Sequence, residues 1–98
     1  MATGIEKDNQ LGYFIEDLWA QGFRLSDKDV RFVYLGKNST AAPEWKVIKA
    51  LKVTLQFQLH FDGSFFLSVL ELLAKDSVKN RKMANAVLKE KGFAIEKK

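Results

Sequence analysis

The residues best suited to chemistry are the cations near the end of the chain. Lys79, Arg81, Lys82 and Lys89 lie in "SVKNRKMANAVLKEKG", with Asn85 among them and Lys75 just before. Read as a helix capped by Asp76 or Ser77, this segment puts Met83, Ala84, Val87 and Leu88 on one arc and the cations with Asn85 on the other. Spaced cations on a rigid helix can follow a phosphate backbone, giving affinity without sequence selection. A second polar set sits in "LKVTLQFQLHF", residues 51–61, where every odd residue is apolar and Lys52, Thr54, Gln56, Gln58 and His60 fill the even positions. On a strand these five share one face, since successive side chains point to opposite sides. Beside the basic helix, Lys52, Gln56, Gln58 and His60 would add hydrogen bonds to bases or sugars. The plainer alternative for both sets is a solvated surface that keeps the domain soluble.

The inventory for catalysis is thin. His60 is the only histidine, and no acid at position 56 or 58 orients it, so a triad would need distant segments. The chain has no cysteine, which removes disulfides, thiolate metal sites and a thiol nucleophile. "LGKNST" has a Gly-Lys pair without the upstream glycine of a phosphate-binding loop. The acids Glu16 and Asp17 suit a solvated helix face, and Asp27 and Asp29 suit a turn or cap. The expectation is a module that binds rather than catalyses, with no metal or cofactor.

Charge narrows the partner. Residues 1–74 sum to −1 and residues 75–98 to +5 of the chain's formal +4, so the positive excess sits in the last quarter. Nucleic acid is the first expectation for the partner. A protein partner is the second, with a homodimer paired through opposed acidic and basic patches. Aromatics that would stack bases on an open sheet are missing, because Phe57 and Phe61 share the parity of the apolar set. No apolar run approaches the length of a membrane span, and "MATGIEKDNQ" does not read as a signal peptide. A cytoplasmic protein without membrane contact is expected.

The elements that must position these residues form, on this reading, a single α+β domain of 98 residues. "NQLGYFIEDLWAQGF" is an amphipathic helix capped by Asp8 or Asn9 and ended by Gly22, after disordered residues 1–8. Residues 30–35 read as a β-branched and aromatic strand, and residues 36–45, with the only proline, as a mobile loop. Residues 45–61 read as a long strand of an antiparallel sheet, bent near Lys49 and Ala50 because about 56 Å of straight strand exceeds so small a domain. "FDGSFF" opens a helix over 65–74, capped by Asp62 or Ser64, since its serines, Glu71 and Lys75 cluster at helical rather than strand spacing. "EKGFAI" repeats the helix stop of "AQGFRL", and "FAI" could add a final short strand. "KNRKMANAVLKE" resembles the last helix of double-stranded-RNA-binding domains in its order of basic and small residues. It lacks the Lys-Lys-x-Ala-Lys run, so no residue role follows from the likeness.

Overall fold

A computed structural model describes residues 10–93, and every regular element among them is helical. The five helices are α1 (Gln10–Ala20), α2 (Asp27–Thr40), α3 (Glu44–Gln58), α4 (Gly63–Leu73) and α5 (Arg81–Glu90). The expected α+β fold with its antiparallel sheet is therefore corrected to an all-helical domain. The caps Asp8 and Asn9, residues 1–8 and the end of the expected final strand lie outside the described residues.

The strand expected at 30–35 is the middle of α2. Its start is fixed by a reciprocal cap: the Asp29 amide donates to Ser26 Oγ at 3.1 Å, and the Ser26 amide donates to Asp29 Oδ2 at 3.3 Å. The cap amide and one amide of the first turn are thereby satisfied, and packing on α4 then holds "VRFVYL" in the helix against its strand propensity. The helix continues to Thr40, so the loop expected over 36–45 shrinks to residues 41–43. Gly36 sits where α2 crosses α4; a β-carbon there would meet Leu70 Cδ2 and Phe66 Cε2, each at 3.3 Å. A side chain at that position would push the two helices apart.

The long bent strand expected over 45–61 is α3, and no bulge interrupts it at Lys49 and Ala50. Its alternation misled because α3 is the central helix, with Lys46, Val47, Ala50, Leu51, Val53, Thr54 and Leu55 all buried. The even-numbered row Lys46, Ala50, Thr54 follows the i, i+4 spacing of a helix and faces inward despite two polar members. Thr54 is satisfied by donating from Oγ1 to the Ala50 carbonyl at 2.8 Å. Lys46 reaches the Lys75 carbonyl through Nζ at 3.2 Å. Polar letters hidden this way erase the 3.6-residue pattern of an amphipathic helix.

α4 matches its expected place and cap, since Asp62 Oδ1 accepts from the Phe65 amide at 3.1 Å. The cap of α5 is corrected: Asn80 Oδ1, not Asp76 or Ser77, accepts from the Met83 amide at 2.9 Å, so Lys79 precedes the helix. α3 and α4 pack most extensively, α1 docks on α3, α2 on α4 and α3, and α5 on α4. Glu44 ties two of these together, because its Oε1 accepts the Leu11 amide of α1 at 3.0 Å.

Candidate functional site

The helical fold redistributes the ten residues expected at the site. Gln58 ends α3 half-buried, and exposed His60 follows the helix, its Nδ1 3.2 Å from the carbonyl of neighbouring Phe61. Thr54 is fully buried. The five-residue polar platform does not exist; Lys52 and Gln56, four apart, keep a common exposed face. Lys75 and Lys79 occupy the α4–α5 connection, and Lys82 is exposed in the first turn of α5. The Arg81 guanidinium lies 5.8 Å from the centroid of the Trp45 ring, as does Lys46 Nζ, so two cations share one indole.

Lys52, Gln56, Asn85 and Lys89 are brought together from two helices. They line a groove of about 1090 Å³ bounded by α1, α3 and α5. α3 and α5 start beside each other, at Trp45 and Arg81, and end beside each other, where the Phe57 and Phe93 ring centroids are 5.9 Å apart. Between those contacts the groove opens. Lys52 Nζ stands 5.8 Å from the Phe14 ring centroid, which places a cation against the α1 wall.

Four of the apolar lining residues come from two copies of one helix-ending device, beside Phe14, Leu55 and Leu59. At the end of α1, Gly22 has φ +101°, and the Phe23 amide donates to the Leu18 carbonyl at 2.8 Å. At the end of α5, Gly92 has φ +86°, and the Phe93 amide donates to the Leu88 carbonyl at 2.7 Å. In both, the glycine adopts the left-handed backbone that a β-carbon penalises, which lets the following phenylalanine fold back towards the leucine five residues earlier. All four apolar residues, Leu18, Phe23, Leu88 and Phe93, line the groove. The recurrence of Gly-Phe was legible in the sequence. The stronger signal is Leu-x-x-x-Gly-Phe, present at both 18–23 and 88–93, and it marks the pair of walls that the strand reading of "FAI" obscured.

Leu59 completes one end. It lines the groove, stays 76% exposed and holds φ 63°, ψ 6°, while its amide donates to the Leu55 carbonyl. A leucine in the left-handed region is strained and is here hardly sheltered from water, so it adds little to the core. The rim is cationic, with Lys49, Lys52 and Lys89 against Asp17 alone among the acids. The groove thus offers a continuous apolar surface edged by three ammonium groups and by the amides of Gln21, Gln56 and Asn85.

The remaining titratable feature is elsewhere. Burial pushes the Tyr34 hydroxyl above its usual pKa, and the nearby Glu44 carboxylate pushes it the same way. Among the described residues no group of three acids or histidines is placed to hold a metal ion, and no helix is long and apolar enough to cross a membrane.

Residues 6–94 match a family model described as a family of unknown function (DUF6123). No curated protein and no solved structure matches the chain.

Proposed function

The chain belongs to the DUF6123 family, and we propose that it is a non-catalytic, cytoplasmic protein-interaction module whose α1–α3–α5 groove receives an acidic amphipathic helix of a partner. The observation that carries this reading is the convergence of Lys52 and Lys89, from separate helices, over a groove lined by Leu18, Phe23, Leu88 and Phe93. A helix laid in a groove contributes apolar anchors at i, i+3, i+4 and i+7 and meets the rim with its flanking charges. Carboxylates on those flanks suit a rim carrying Lys52 and Lys89; a basic helix would be repelled. The placement in the cytoplasm rests on the cysteine-free sequence.

Nucleic acid is the weaker reading on this geometry. Phosphate contact needs exposed cations but no apolar groove, and of the cations expected to provide it, Arg81 is engaged with Trp45. Fluorescence anisotropy separates the two. A labelled helical peptide with Leu on one face and Glu on its flanks is titrated with the protein beside its Lys-flanked counterpart and beside single- and double-stranded DNA and RNA. The Glu peptide is expected to bind, and Lys52→Glu with Lys89→Glu to weaken it at least tenfold. Equal binding of the Lys peptide overturns the reading. So does nucleic-acid binding that is lost in Lys79→Ala, Arg81→Ala and Lys82→Ala while the Glu peptide stays free, and the phosphate reading then takes its place.

A further inference from the structure

The chain itself carries a helix of the kind the groove fits. α1 turns Leu11, Ile15 and Leu18 into the core and leaves an exposed arc of Tyr13, Glu16, Asp17 and Ala20, in which Tyr13 is 49% exposed. This is an acidic surface with an aromatic anchor and a small residue that permits close approach. The other exposed arcs do not match it. That of α2 mixes Lys28 and Arg31 with its acids, that of α4 carries Glu71 alone, and that of α5 is basic.

From this complementarity, and resting on the groove reading above, we infer that the groove is filled by α1 of a second copy, with Glu16 facing Lys52 and Lys89 and the Tyr13 ring on the apolar wall. The lengths agree. Eleven residues of α1 extend about 16 Å, and the α3 edge of the groove from Lys49 to Leu59 extends about 15 Å. The symmetry closes as well. Because each copy carries one groove and one α1, a two-fold arrangement would fill both grooves. Each contact is then made twice, with no unfilled site left to propagate an open chain of molecules.

Analytical ultracentrifugation of the full chain tests this. The expected mass is twice the 11.2 kDa of the chain, falling towards the single-chain value as salt rises from about 50 mM to 500 mM, because the facing charges are screened. Two double variants change opposite sides of the contact: Tyr13→Lys with Glu16→Lys, and Lys52→Glu with Lys89→Glu. None of these four residues is buried, so circular dichroism should show both variants folded. Each alone is expected to be monomeric, and an equimolar mixture of the two to recover the dimer, since acid then meets base at both contacts. A single-chain mass for the wild type at every concentration overturns the inference. So does a dimer indifferent to both variants, or folded variants that fail to associate when mixed. A monomer that still binds the Glu-flanked peptide leaves the groove reading standing and removes only the second copy; a monomer that binds neither removes both.

Discussion

Two aromatic triads flank α4, and they serve different ends. Phe32, Phe61 and Phe66 meet with centroid distances of 5.6 to 6.4 Å, and Phe66 is fully buried beneath Gly36 at the crossing of α2 and α4. Phe57, Phe65 and Phe93 meet at 5.3 to 6.3 Å, but Phe57 is 43% exposed and Phe93 lines the groove. The centroid spacings are alike, and Phe32 and Phe61 are half-buried as Phe65 and Phe93 are; the triads differ in one ring each, Phe66 sealed and Phe57 open to water. A ring closed to solvent holds helices together, whereas a ring left half-open makes a wall that another molecule can cover.

Truncation should separate the triads most sharply. Phe66→Ala removes a fully buried ring and leaves a cavity at a crossing that cannot collapse without moving α2, which costs about 3–5 kcal/mol. That is a large share of the roughly 5–15 kcal/mol available to such a domain. Phe93→Ala removes a half-buried ring and should cost about 1–2 kcal/mol, while stripping one wall of the groove. Urea denaturation of both variants, read beside peptide binding, checks the contrast. Equal stability losses would mean that the second triad is scaffold as well, and unchanged peptide affinity in Phe93→Ala would detach it from the groove.

The contrast also explains what could be read in advance. α1 and α4 are bounded by strong local signals and turn one clear arc inward, so period and caps agree: Gly22 ends one and Asp62 starts the other. α2 and α3 lack that agreement. "SDKD" is a reciprocal cap, but the β-branched residues after it point towards a strand, and only packing on α4 decides between them. In α3 the inward-facing polar residues Lys46 and Thr54 find partners along or beyond the helix, which no periodicity reveals. The site was visible in pieces. Lys52, Gln56, Asn85 and Lys89 could be named as candidates, but their meeting over Leu18 and Leu88 depends on α1 and α5 flanking a helix that the sequence suggested was a strand.

A smaller effect sharpens the comparison at the groove's end. Leu59→Gly relieves a left-handed backbone that costs a leucine about 1–2 kcal/mol, partly offset by the greater freedom glycine has when unfolded. The side chain is 76% exposed, so little burial is lost. The variant should gain up to about 1 kcal/mol of stability and bind the Glu-flanked peptide more weakly. Such an opposition marks a residue kept for contact rather than for the fold. Differential scanning calorimetry with the peptide titration decides it; a loss of stability would show that Leu59 supports the helix end, and unaltered affinity would remove it from the site.

The smallest effect belongs to Tyr34 and is absent at neutral pH. Its hydroxyl titrates above the usual tyrosine value of about 10, because burial and then Glu44 both disfavour the phenolate. The raised folded pKa means that the folded state holds the proton more tightly than the unfolded one. The stability linked to it is therefore complete below about pH 10 and is lost as pH rises through the folded value. Tyr34→Phe removes this titration, so its melting temperature relative to the wild type should be constant up to about pH 9 and then rise as the wild type alone meets the cost of ionising a sheltered phenol. If the melting curves of the two proteins stay parallel through pH 11, alkaline sensitivity does not arise from Tyr34.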